Sequence, residues 1–151
     1  MSLKDRIEED YKRVFKEGNA NVVSCLRSLK AAIKNAEISA QHDYSDEEVV
    51  QVIGTELKKT KESLEAFKKA GRTEQVMILA SQCDVLQVYL PEQLSDEELT
   101  KAVQDAITQT GASTPADMGK VMGVVMGAVK GRADGNVVKA RVQELLNTQS
   151  A

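Results

Sequence analysis

Val76, Leu79, Cys83, Leu86 and Leu90 follow one another at steps of three, four, three and four residues, and Pro91 then interrupts the run. That spacing lines one side of an α-helix and suits no strand, whose side chains alternate with period two. Proline cannot continue the helix, because it lacks an N–H and its ring clashes with the preceding turn. The same pattern fills most of the chain. Leu3, Ile7, Tyr11, Val14 and Phe15 form a stripe ended by Gly18, and Val22, Leu26, Leu29 and Ile33 form a second, running out near Ala40. Val49, Ile53, Leu57, Leu64 and Phe67 form a third, ended by Gly71. Each helix thus offers one apolar strip, the form that packs as a bundle. With only two prolines, nine glycines and five aromatic residues, the composition lacks the turns and bulky strand residues of an all-β protein.

Helix starts are equally readable. Ser45-Asp46-Glu47-Glu48 and Ser95-Asp96-Glu97-Glu98 are capping boxes, in which the serine accepts a backbone N–H and the glutamate three residues on reaches back. Thr114-Pro115 reads as a cap followed by proline at the first helical position. These signals predict seven helices, over about 2–17, 21–40, 46–70, 73–90, 96–110, 115–130 and 135–147. The fold class expected is all-α, with an N-terminal four-helix bundle (residues 1–92) followed by a small three-helix C-terminal domain (93–151). A chain of 151 residues is long enough for either one domain or two small ones.

Charge narrows the function classes. The net charge is −3, which argues against a protein that coats nucleic acid indiscriminately. The acidic excess lies in residues 1–113, whereas the remainder is mildly basic, so an anionic partner is expected at the C-terminal end. No apolar run is long enough to span a membrane, and MSLKDRIEED lacks the apolar core of a secretory signal. Cys25 and Cys83 form no C-x-x-C pair and sit at core-like positions, which suits buried thiols in a reducing, cytoplasmic setting.

Residues 118–135 are the most unusual stretch. Gly119, Gly123 and Gly127 recur every fourth residue and form a bare strip, with Met118, Met122 and Met126 beside it. A glycine inside a helix costs about 0.5–1 kcal/mol relative to alanine, so three need a reason. Close packing of another helix is the simplest; a flat surface for a partner is the sharper one. Lys120, Lys130, Arg132, Lys139 and Arg141 are the candidate phosphate contacts, and Gly131 and Gly135 join the surface-shaping glycines. The start of the last helix is either an anion site gripped by Lys130 and Arg132 or a loop capped by Asp134.

These residues also carry a resemblance. Met118–Gly135, together with Arg27-Ser28-Leu29-Lys30-Ala31-Ala32-Ile33-Lys34-Asn35, Glu65-Ala66-Phe67-Lys68-Lys69-Ala70-Gly71-Arg72 and Tyr89-Leu90-Pro91-Glu92-Gln93-Leu94-Ser95, resembles the YqeY-like family over nearly the whole chain. Its domain, also called GatB/YqeY, forms the tail of the GatB polypeptide in the glutamine-dependent aspartyl/glutamyl-tRNA amidotransferase. The resemblance implies an all-α stand-alone version of that tail, with tRNA as partner and amidotransferase or aminoacyl-tRNA synthetase proteins as further ones. It also implies the label of a carbon–nitrogen ligase using glutamine as amide donor. The residues themselves offer no apparatus for this: there is no G-x-S-x-G, no phosphate-binding G-x-x-x-x-G-K-[ST], and His42 stands alone in a polar loop. No catalytic residue, cofactor or metal is therefore expected. Arg27, Lys30 and Lys34 share a helix face, and Lys58, Lys59, Lys61, Lys68, Lys69 and Arg72 cluster on the third helix. With no aromatics interleaved, RNA would be read through shape and phosphates. The other functional class is a protein-interaction module docking through the Met/Gly face.

Overall fold

The computed structural model describes residues 1–129 and 132–150, and side chains as far as Thr148. Among them are seven α-helices and no strand: α1 Leu3–Glu17, α2 Ala20–Ala40, α3 Asp46–Lys69, α4 Thr73–Gln87, α5 Asp96–Thr110, α6 Met118–Val129 and α7 Gly135–Ser150. A short 3₁₀ turn, Pro115–Asp117, leads into α6. The protein is all-α, and it divides into two compact units, Met1–Leu90 and Pro91–Ala151.

Both capping boxes form. Ser45 and Ser95 accept the backbone N–H of Glu48 and Glu98, and each glutamate carboxylate accepts the serine N–H at 2.9 Å. A third box, Ser2 with Asp5, opens α1. It escapes a search for glutamate because the shorter acid does the same work. At the other ends, Gly18 and Gly111 adopt φ of 74° and 67°, the left-handed conformation that lets a helix terminate without a Cβ clash.

The core of the first unit is made by Ile7 and Val14 of α1, the α2 stripe through Leu26, Leu29 and Ile33, Val49, Ile53 and Leu57 of α3, and Cys83 and Leu86 of α4. No residue between Leu57 and Cys83 joins this buried core; Leu64, Phe67, Val76 and Leu79 are only half-buried. Phe15, part of the first apolar stripe in the sequence, turns out 61% exposed. Lys4 reaches Glu37 of α2, whose carboxylate also accepts the Tyr44 N–H at 2.9 Å, and the Leu3 N–H is accepted by Asp46 of α3 at 2.9 Å. One end of the unit is thereby tied together.

In the second unit the core residues recur every fourth position: Val121, Val125 and Val129 on α6, and Val138, Val142 and Leu146 on α7, set against Leu99, Val103 and Ile107 of α5. Pro91–Ser95 belongs to this unit rather than to the helix before it. Arg132 donates from Nε to the Glu92 carbonyl at 3.0 Å, and the Leu94 N–H donates to the Arg132 carbonyl at 2.9 Å. The division accordingly falls at Leu90/Pro91, two residues ahead of the boundary suggested by sequence.

Candidate nucleic-acid interface

Helix α6 turns Val121, Val125 and Val129 inward. Two residues correspond to about 200° around a helix, so Gly119, Gly123 and Gly127 fall on the opposite side. All three are exposed, and a Cβ placed on any of them would meet nothing within 4 Å. The close helix packing expected from the sequence is therefore absent among the described residues. The three glycines form a bare strip on α6, and among the described residues no helix covers it. Met118 and Met122 are half-buried against the unit's own core, while Met126 is exposed and its methyl lies 3.9 Å from a Cβ built on Gly135. The methionine face is therefore mostly internal packing, and the exposed surface is the glycine strip with Lys120 along its edge.

The candidate cations separate into three groups. Arg132 and Arg141 both work inside the unit, at the N-terminal end of α5. Arg132 holds the Glu92 carbonyl, and its charge helps to keep the Glu98 carboxyl below the usual range, behind the larger effect of the Ser95 N–H. Arg141 contacts the Asp96 carboxylate at 3.1 Å, the Asp96 carbonyl at 3.3 Å and the Thr100 hydroxyl, so it fastens α7 to α5. Lys120 and Lys139 are exposed. Lys139 has no ion pair among the described residues; Lys120 adds to the lowering of the Asp117 carboxyl, which is due first to the backbone N–H groups of Ser113 and Thr114. Lys130 and Gly131 lie outside the described residues. At the start of α7 the Asp134 carboxylate accepts the Asn136 N–H at 2.7 Å, so the cap occupies a donor that an anion would need.

The first unit presents a different surface, one that the sequence pattern did not reveal. Tyr11 and Phe15 of α1 lie one turn apart with ring centroids separated by 6.1 Å. The structure sets Lys30 of α2 over the Tyr11 ring, 4.3 Å from its centroid, and Arg27 Nη2 donates to the Tyr11 hydroxyl at 3.4 Å. Aromatic rings do accompany these cations after all. They come from the neighbouring helix, which a search along one helix cannot see. Tyr11 and Arg27 lie equally far in sequence from the Asn19 turn, a signal that could have paired them.

Elsewhere the titratable groups are structural. Burial pushes the Cys25 thiol up to about 11 and raises Cys83 as well, so neither is an activated nucleophile. No group of three His, Cys, Asp or Glu among the described residues is placed to hold a metal ion. Protonated His42 donates from Nε2 to the Glu48 carboxylate at 2.8 Å and from Nδ1 to the Ala40 carbonyl at 3.3 Å, which raises its pKa from the ordinary value. Its contribution is full below about pH 6.5 and is lost as pH rises through the raised value. Glu48, held low first by the Ser45 N–H and then by His42, must stay ionised for the pair to persist. The stability margin of the wild type over His42→Gln is thus expected to be largest in mildly acidic buffer and to shrink in alkaline buffer. Urea midpoints for both proteins across that range would test this.

Comparison with known proteins adds the family. The YqeY profile, described as "Yqey-like protein", matches residues 4–146. The chain belongs to this family. The match takes in both units and every candidate cation. Among curated proteins, this YqeY-family chain is similar to "Altered inheritance of mitochondria protein 41, mitochondrial" from Pyrenophora tritici-repentis. The two are 29% identical over 149 residues, covering 95% of this chain and 81% of the relative. No described helix is long and apolar enough to cross a membrane.

Proposed function

We propose that this YqeY-family protein is a non-catalytic tRNA-associated binding module, built as an N-terminal four-helix bundle and a small three-helix C-terminal domain, and that the glycine face of α6 is its docking surface. The exposure of Gly119, Gly123 and Gly127 is the observation that carries this reading. Three glycines destabilise a helix, and no packing among the described residues offsets them. A face without Cβ atoms lets a sugar–phosphate backbone come close to the helix, and Lys120 beside it supplies a point charge. The resemblance to the amidotransferase tail domain supports tRNA as the backbone in question. Amidotransferase or aminoacyl-tRNA synthetase proteins are the partners this implies, and a reducing cytoplasm suits the two buried thiols. With a net charge of −3, binding should rely on a few phosphate contacts and weaken steeply with salt.

Arg132 and Arg141 have structural tasks, so Lys120 and Lys139 are the cations to test first. A gel shift with bulk tRNA at low salt should show retardation by the wild type and several-fold weaker binding by Lys120→Glu/Lys139→Glu. Absence of a shift with wild type, or an equal shift with the double variant, contradicts the proposal. Ammonia release from glutamine by the purified chain contradicts its non-catalytic part.

A further inference from the structure

We infer that the α1/α2 face of the first unit is a second nucleic-acid contact, in which Phe15 offers a stacking platform for an unpaired base and Arg27 holds the adjoining phosphate. Phe15 takes no part in the buried core and is 61% exposed, although α1 buries Ile7 and the adjacent Val14 from the same apolar stripe. Lone exposed apolar residues are ordinary. This one is not set among other apolar groups but beside Tyr11 and the cations of α2.

Roles within the cluster follow from what is already engaged. Lys30 contacts the Glu8 carboxylate while covering the Tyr11 ring, and Lys12 lies 3.7 Å from Glu8. The Tyr11 face is therefore taken, and Phe15 is the ring left open. Arg27 is exposed and has no ion pair among the described residues, whereas the charge of Lys34 acts on Glu37. An open ring with an unpaired arginine held on the neighbouring tyrosine matches the pairing of base and phosphate in single-stranded nucleic acid, where every base has a π-face and sequence matters little. An apolar protein partner would find a single ring here with charged surroundings, which is poor complementarity. The inference does not depend on the α6 face, because the residues belong to the other unit.

The test is fluorescence anisotropy of a labelled single-stranded oligoadenylate with the full chain at low salt. Base stacking on an aromatic ring changes affinity by about five- to a hundredfold, so Phe15→Leu should bind that much more weakly. Phe15→Tyr, which keeps a ring, should bind within about twofold of wild type. Leucine preserves apolar bulk at an exposed site, so a merely hydrophobic contact would not distinguish the two variants. Arg27→Gln should flatten the dependence of log affinity on log salt by about 0.7, the value for one single-strand phosphate contact. The Phe15→Leu loss should be the same fold in a Gly123→Leu background, which separates the present inference from the tRNA reading of α6. The inference is overturned if wild type fails to bind, if Phe15→Leu binds like Phe15→Tyr, if the Phe15→Leu loss vanishes in the Gly123→Leu background, or if polyglutamate competes as well as the oligonucleotide.

Discussion

Replacing Gly119, Gly123 and Gly127 together with alanine is expected to stabilise the second unit, by about 1.5–3 kcal/mol at roughly 0.5–1 kcal/mol for each site. Substituting three residues of a helix usually does harm, so the sign is the informative part. All three glycines sit inside α6 with none of the positive φ that only glycine tolerates well, and each new methyl would project into open space. Alanine then gains through the unfolded chain, which has fewer conformations to lose. Chemical denaturation of wild type and triple variant would show a higher midpoint with unchanged slope. A lower midpoint would mean that the bare face packs against something within the chain, and the surface described above would not exist.

The opposite effect is expected at Leu146. Its side chain is fully buried on α7, in line with Val138 and Val142 and packed into the cluster that also receives Val121 and Val125. Leu146→Ala removes apolar contact area and leaves a cavity, at a cost of about 2–5 kcal/mol. At roughly 0.05–0.15 kcal/mol per residue, a unit of this size has only a few kcal/mol in total. The variant should therefore leave much of the second unit unfolded near physiological temperature, read as lost protection of α5–α7 amides in hydrogen exchange. Exchange from α1–α4 serves as the internal reference. Protection of α5–α7 indistinguishable from wild type would show that Leu146 does not anchor this core.

What could be read before folding was whatever is local. Ser45 and Ser95 find their glutamates three residues away, so the starts of α3 and α5 match expectation to the residue. The sixth helix was harder. Pro115 begins a 3₁₀ turn in which the Asp117 carboxylate draws in the Ser113 N–H, and regular α-helix starts only at Met118. Long-range pairings left no such trace. The positive charge of Arg132 and Arg141 was legible, but the Glu92 carbonyl and Asp96 that engage them lie some forty residues earlier. Likewise, glycine spacing announced a flat strip without saying whether a helix would cover it. An apolar stripe suggested that Phe15 is inside, yet Val14 enters the core and its neighbour Phe15 stays in water.

The affinity of Gly123→Leu for bulk tRNA addresses the α6 surface most directly. Leucine is a good helix former, and position 123 has open space, so the fold should survive while the flat face acquires a projecting side chain. A loss of about tenfold or more relative to wild type, equivalent to roughly 1.4 kcal/mol, is the expected result. Wild-type affinity in a variant of undiminished stability would contradict the placement of RNA on the glycine face.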